Sequence, residues 1–464
     1  MSLIPLNNNS NKQEKYRLFG NYYANNDQIE ALEKISKFIN NKNDKSFVLT
    51  GAAGTGKTTI MKKALKSTGL KVYGATISHQ AKTILGKQLG DDYVCTVASL
   101  LGIKLNEETG KFTEDKKLKP RINYMKAGIL VIDETSMISE ELMDNILDKC
   151  PSGLKIIWVG DPNQLPPIGQ ESGISSTFML YDNKEYNKSH LSEIMRFGDK
   201  VSTTALEISK GIIDYKSVNL VRNTDYDEIS REGVIFVRDE QTMLDMAAED
   251  FKKNPKGTKI ITYNNHRNRH PQSVLSLNNK IRELLYPNAT TPIMPNEIFT
   301  MYNPFYDPEQ DEKILAQNSE SFIVKSYNKT TIEVNVSVHS HKMGRRDFKA
   351  NYNDVYEAEC VFDDKTLILE LIFDPQYKKD LDKIAKTSDW QLFYGLQKQF
   401  PQIEYGYSCS THKAQGSGYD NIYVCEDNIM TSPQSQENLY RTFYTAVTRA
   451  KKKLVIQSLD NNIL

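Results

Sequence analysis

Apolar residues recur at helical spacing over Asn26–Asn40, where Ile29, Leu32, Ile35 and Phe38 fall on one face of an amphipathic helix. A short apolar run at 46–50 then reads as a β-strand, followed by a glycine loop and a second helical pattern over 57–65. Strand-like runs return at 71–75, 128–132 and 155–159, with helical stretches between them. Strands buried on both faces and alternating with helices predict a parallel sheet covered on either side. A second region of this kind starts near Lys188, holds a strand at 259–263, and resumes late in the chain at 422–425 and 453–456. Between its two parts the period changes. Residues 286–401 carry several short alternating strands (321–325, 331–336, 365–370) and then a helical segment over 377–400. That pattern predicts a small β-barrel with a helical protrusion, inserted into the second α/β region.

A smaller insert interrupts the first region. Residues 103–123 are polar and charged, with Ile103, Leu105, Phe112, Leu118 and Ile122 as the only aliphatic or aromatic side chains. The run Glu108-Thr-Gly110-Lys111 suits a tight hairpin turn, because Gly110 accepts the positive φ such a turn requires. The expectation is a short ribbon with Phe112 just past its turn; the competing reading is a solvated surface loop.

At 464 residues the chain exceeds a single hydrophobic core, so several domains are expected. Hydrophobic residues at 39% and charged residues at 25% describe neither a disordered nor a membrane-embedded chain. No run reaches about 18 apolar residues, so no transmembrane helix is expected, and the polar first residues lack a signal-peptide core. Five scattered cysteines make neither a disulfide framework nor a metal knuckle and point to a reducing cytoplasm. Lys plus Arg equals Asp plus Glu, 59 against 59. Net charge therefore leaves a nucleic-acid partner open, since a groove needs only a local basic lining.

The chemistry starts at Gly51-Ala52-Ala53-Gly54-Thr55-Gly56-Lys57-Thr58, followed by Thr59. This fits the phosphate-loop pattern, and it stands between a strand and a helix as that pattern demands. Backbone N–H groups and the positive helix end would hold ATP phosphates, with Lys57 on the β- and γ-phosphates and the Thr58 hydroxyl on Mg²⁺. Asp133 and Glu134 close the strand at 128–132. Asp133 can hold the Mg²⁺ through water, and Glu134 can orient and deprotonate an attacking water.

Further segments fall in a fixed order, and as a set they resemble superfamily 1 helicases. Asn26-Asp27-Gln28 is similar to the adenine-reading element, which implies a purine contact for Gln28. Trp158-Val-Gly160-Asp161-Pro-Asn163-Gln164-Leu-Pro-Pro167 resembles the segment whose glutamine senses the γ-phosphate, and its ending points to the RecD/Dda branch. Leu191-Ser-Glu-Ile-Met-Arg196 resembles the element that supplies one arginine to the nucleotide. Ser410-Thr411-His412-Lys413-Ala414-Gln415-Gly416 is similar to the fifth motif, which contacts DNA backbone and nucleotide. Tyr444-Thr-Ala-Val-Thr448-Arg449-Ala450-Lys451 resembles the sixth, which implies that Arg449 is an arginine finger.

The layout is similar to the Dda-type helicases of bacteriophages. That resemblance implies two RecA-like P-loop domains, with a β-hairpin pin in the first and an SH3-like barrel with a helical tower in the second. The expected divisions are 1–102, 103–123 (pin), 124–187, 188–285, 286–401 (barrel and tower) and 402–464. It further implies 5′→3′ movement on single-stranded DNA. On the track it places Thr76 and His79, with Ile77 where the family commonly has proline. It adds Thr96 and Ser99, with Ala98 where a histidine is usual, then Thr411, His412 and a base-stacking Trp390. Phe112 would be the wedge. For Thr76, Thr96 and Ser99 a helix N-cap is the alternative; for Trp390 it is packing of the tower onto the barrel.

The expected protein is a monomeric, cytoplasmic ATP-dependent DNA helicase (host cytoplasm if phage-encoded), acting in replication, recombination or repair. Its cofactors are ATP and Mg²⁺. Its partners are single-stranded DNA, duplex junctions and replication or single-strand-binding proteins, with no membrane. An RNA-directed superfamily 1 motor and a non-catalytic ATP-dependent clamp are the alternatives.

Overall fold

The computed structural model describes residues 17–19, 22–66, 68–90, 93–105, 112–114, 119–167, 187–193, 199–214, 224–265, 270–307, 310–340 and 344–458. Its first six-stranded sheet runs Asn187–Leu191, Ser46–Gly51, Leu154–Gly160, Gly128–Ile132, Val72–Thr76, Val94–Thr96 across its width, all parallel. Strand side chains alternate between the faces. Phe47 and Leu49 join Ala31, Ile35, Phe38 and Ile60 on one face, while Val48 joins Ile132, Trp158, Leu142 and Ile146 on the other. The amphipathic helix predicted over Asn26–Asn40 forms with those bounds and buries Ala31, Ile35 and Phe38.

The strand Asn187–Leu191 corrects the expected boundary at 188. It pairs with the phosphate-loop strand Ser46–Gly51 and so belongs to the first sheet. Its sequence is polar, and only the tertiary pairing reveals its membership.

A second six-stranded sheet runs Asp225–Asp227, Glu232–Val237, Ala450–Gln457, Tyr419–Cys425, Thr258–Thr262, Ser408–Ser410; only the first pair is antiparallel. The helices Asp199–Asp214 and Gln436–Val447 cover one face through Ile208, Phe443 and Val447. Glu240–Lys253 and Val274–Leu285 cover the other through Leu244, Phe251 and Leu277.

The insert is a five-stranded antiparallel sheet ordered Thr366–Ile372, Gly344–Val361, Ser321–Ser340, Ile298–Met301, Ile403–Tyr405. Its last strand lies beyond the expected limit at 401. The runs expected as separate strands at 321–325 and 331–336 are one strand of 20 residues. Register shifts at Val324/Ser326 and Thr330/Ile332 interrupt its pairing with Gly344–Val361. The helices Pro375–Lys386 and Trp390–Gln397 pack Tyr377, Ile384 and Leu396 onto Val334, Val336 and Tyr352 of this ribbon.

In the first domain, Ile103–Leu105 pairs antiparallel with Phe112–Glu114, Leu105 opposite Phe112. The turn expected at 108–111 lies outside the described residues. Among those residues, no helix is long and apolar enough to cross a membrane.

Candidate functional site

The phosphate loop leaves the strand Ser46–Gly51 and enters the helix Lys57–Lys66, with Thr58 and Thr59 on its first turn. Gly54 and Gly56 take φ of +86° and +87°, a region L side chains rarely adopt. At Gly56 a Cβ would also stand 2.8 Å from Gln28 Nε2. Gln28 is buried and serves the loop directly: Nε2 donates to Thr55 O at 2.9 Å, while Oε1 accepts from Asn25 N at 3.1 Å as half of a capping box. One further donor and one further acceptor position remain on its amide. Lys57 Nζ donates to Gly51 O (2.6 Å) and Ala52 O (2.9 Å), and Thr55 Oγ1 donates to Ala52 O (2.9 Å).

Asp133 and Glu134 follow the strand Gly128–Ile132 at its C-terminal end. Burial and the neighbouring Glu134 carboxylate push Asp133 up to about 7, against the Glu134 N–H bond at 2.9 Å and the Lys57 charge. Glu134 adopts φ +56°, ψ +43°, a left-handed conformation that is costly for a residue with a Cβ and is found mostly where function over-determines it.

That turn brings Glu134 to Gln164. With its amide orientation assigned from the surrounding donors and acceptors, nitrogen toward the carboxylate and oxygen toward the guanidinium, Gln164 donates to Glu134 Oε2 at 3.1 Å and accepts from Arg449 NH2 at 3.2 Å. Arg449 arrives from the second domain, buried, and is held by Thr445 O (3.0 Å), Ser417 O (3.2 Å) and Thr448 Oγ1 (3.0 Å). The Gln415 amide lies 3.2 Å from Ser136 Oγ and 3.4 Å from the Gln164 amide. Gly416, at φ +78°, sits against Ala81 and Ser78 of the first domain: a Cβ there would be 3.1 Å from Ala81 Cβ. The structure thus gathers Gln28, the residues of 51–58, Glu134, Gln164, Gln415 and Arg449 along one interdomain cleft. Arg196 lies outside the described residues.

The expected track divides. Thr76, at the end of its strand, and Thr411, the first residue of the helix Thr411–Ala414, are fully buried: the Thr411 hydroxyl donates to Thr262 O (3.4 Å), and the Thr76 hydroxyl is buried without a hydrogen-bond partner. Neither offers its hydroxyl to solvent in this conformation. Thr96 caps the helix Val97–Leu101, accepting from Ser99 N at 3.2 Å, as its alternative reading had it. His79 heads the helix His79–Leu89 and His412 lies beside Tyr263, ring centroids 6.3 Å apart; burial lowers the pKa of both histidines. Trp390 is 47% exposed and contacts Phe393 and Tyr394, which tells against packing onto the barrel as its only role.

Asp161, Arg441, Tyr444 and Thr445 belong to the cleft without having been singled out. Asp161 Oδ2 accepts from Ala53 N (3.0 Å) and Tyr444 OH (2.8 Å). For three of them the available signal was their i, i+3, i+4 spacing, which puts Arg441, Tyr444 and Thr445 on one face of a helix; Asp161 lies in the loop after Leu154–Gly160 and carried no such pattern.

Residues 23–246 match a family model described as an AAA domain, and 405–457 match one described as a UvrD-like helicase C-terminal domain. The protein named ATP-dependent DNA helicase dda from Enterobacteria phage T4 is 24% identical, over 91% of this chain and 97% of that protein. An uncharacterized protein of Acanthamoeba polyphaga mimivirus is 26% identical over 93% of this chain and 99% of its own length. The RecBCD enzyme subunit RecD of Buchnera aphidicola (subsp. Schizaphis graminum) is 25% identical over 92% of this chain and 72% of that subunit. Pif1 helicase from Candida albicans, a crystal structure, aligns with a TM-score of 0.46 at 16% identity, covering 95% of this chain and 96% of that one.

Proposed function

We propose, for a chain that belongs to the RecD/Dda branch of the superfamily 1 helicases, 5′→3′ translocation on single-stranded DNA and separation of duplex at a junction. The chain is an ATP-dependent DNA helicase; the direction and the residue roles are the proposal. The observation that carries the residue roles is the Gln164 amide, between a carboxylate of one domain and a guanidinium of the other; the direction rests on the resemblance to Dda-type helicases.

Lys57 and Arg449 would bind phosphate oxygens from opposite walls, and Glu134 would take the proton of the attacking water. Gln164 touches both Glu134 and Arg449, so it reports the position of one to the other. A γ-phosphate gives the two cations a shared anionic partner. Its departure removes that differential contact and favours opening of the cleft. Thr58 and Asp133 would hold Mg²⁺. The donor set fits: a hydroxyl and a carboxylate are hard oxygen ligands, and burial, with the Glu134 carboxylate beside it, suppresses ionisation of Asp133, a penalty a divalent cation relieves. When bound, the ion would neutralise phosphate charge.

ATP turnover measured with and without single-stranded DNA, followed by unwinding of 5′- and 3′-tailed duplexes, tests this reading. DNA-stimulated turnover and unwinding from the 5′ tail are expected. Binding of ATP without turnover would favour the clamp, and equal stimulation by RNA the RNA-directed motor.

A further inference from the structure

The helix Gln436–Val447 of the second domain carries Arg441, Tyr444 and Thr445 on one face. All three are buried, where apolar residues are the ordinary choice, and all three bond a single stretch of the first domain, residues 161–165. Tyr444 OH donates to Asp161 Oδ2 at 2.8 Å. Arg441 NH1 donates to the carbonyls of Pro162 and Gln164, the latter at 3.3 Å, while Glu437 pairs with its guanidinium at 2.8 Å. Leu165 N donates to Thr445 Oγ1 at 3.2 Å. Within the stretch, Asp161 satisfies only the amides of Asn163 (3.0 Å) and Gln164 (3.2 Å). The loop leaves the first sheet at Gly160, yet much of its buried hydrogen bonding is completed by the other domain.

We infer that Arg441, Tyr444 and Thr445 form a positioning surface that sets Gln164 between Glu134 and Arg449. Through it, the hydrolytic carboxylate of the first domain acquires its amide partner when this helix is docked. The amide of Leu165 and the carbonyls of Pro162 and Gln164 are bonded to the helix, which fixes the backbone that carries the Gln164 side chain. Asp161 extends the same connection to the phosphate loop through Ala53 N, at 3.0 Å. None of the three helix residues is placed on the nucleotide: Arg441 and Thr445 act on the backbone around Gln164, and Tyr444 acts there and also on the phosphate loop through Asp161. The inference rests on the reading of the cleft as the site of ATP hydrolysis.

The test measures kcat and KM for ATP at saturating single-stranded DNA. It uses the full chain, Tyr444→Phe, Thr445→Val, Gln164→Ala, and Gln164→Ala combined with each of the other two. Thermal unfolding midpoints are recorded alongside. Loss of one hydrogen bond to a charged group predicts that Tyr444→Phe lowers kcat by about 10–100-fold, with KM changing by less than about threefold. In the Gln164→Ala background the same substitution should lose most of its effect, because the main residue it acts through is gone; what remains runs through Asp161 and Ala53. Thr445→Val should behave in the same way and serves if Tyr444→Phe does not fold. A wild-type kcat in both helix variants, or losses that multiply in the double variants, would overturn the positioning role and leave the hydrolytic site standing. A wild-type kcat in Gln164→Ala would sink both.

Discussion

The Gln164 amide oxygen accepts from Arg449 NH2 at 3.2 Å, so a residue just past the strand Leu154–Gly160 of the first sheet is bonded to one just before Ala450–Gln457 of the second. The other end of the same amide reaches Glu134. A sidestep of one domain against the other cannot leave this chain of contacts intact, which makes the state of the carboxylate depend on the state of the cleft.

Three substitutions separate the steps at the nucleotide. Arg449→Ala should lower ATP turnover by about 10³–10⁵-fold while binding changes less. Glu134→Gln should bind ATP and fail to hydrolyse it, and Lys57→Ala should weaken binding or turnover. Nucleotide affinity and single-turnover hydrolysis distinguish them; wild-type turnover in Arg449→Ala would refute a two-walled site.

Gly56→Ala should damage the loop by two routes. Its φ of +87° disfavours any Cβ, and that Cβ would press on Gln28 Nε2 at 2.8 Å. A conformational cost of about 1–2 kcal/mol predicts ATP binding weakened by about 5- to 30-fold. Titration calorimetry reads it directly. Unchanged affinity would mean that the loop relaxes without involving Gln28.

Trp390→Ala should weaken single-strand binding by about 1–3 kcal/mol with little base preference. Because the ring is 47% exposed, the unfolding midpoint should hardly move. An early-melting variant with normal DNA affinity would make Trp390 a packing residue.

Phe112 stands at the end of a short antiparallel pair, opposite Leu105. If the ribbon is a wedge, Phe112→Ala should retain DNA-stimulated ATPase and translocation, yet unwind a 5′-tailed duplex much more slowly. A 3′-tailed duplex should be a poor substrate for both proteins. Equal single-turnover unwinding would take Phe112 out of the mechanism, and preference for the 3′ tail would reverse the polarity.

Burial holds His412 below its ordinary pKa, so the folded state favours the neutral ring. The associated stability is complete above the unfolded value of about 6.5 and is lost as pH falls below it toward the folded pKa. The unfolding midpoint should drop on acidification through that window, less steeply in His412→Gln. Identical slopes would show that His412 does not contribute.

The phosphate loop, the paired carboxylates and the Arg449 segment were legible because each is local chemistry in consecutive residues. The helix Asn26–Asn40 was legible because its apolar period is unbroken. The ribbon strand was not. Ser326, Asn328 and Lys329 are polar and face solvent, so alternation fails midway through Ser321–Ser340 and one strand reads as two. Asn187–Leu191 offered no local sign of its sheet. The bonds from Arg441, Tyr444 and Thr445 depend on how two domains dock, which no spacing encodes.

The second sheet places Ala450–Gln457 between Glu232–Val237 and Tyr419–Cys425, so an inner strand is also the last to be synthesised. At about 5–20 residues per second, the roughly 190 residues between Thr262 and Ala450 take on the order of 10–40 s to translate. Throughout that interval Glu232–Val237 lacks the strand that will cover its inner edge, and Thr258–Thr262 lacks both of its neighbours until Ser408–Ser410 and Tyr419–Cys425 emerge. The first sheet is complete by Leu191 and can form independently. On the ribosome, therefore, the first sheet has all its strands well before the second, whose edges stay open for longer and are the more exposed to mispairing.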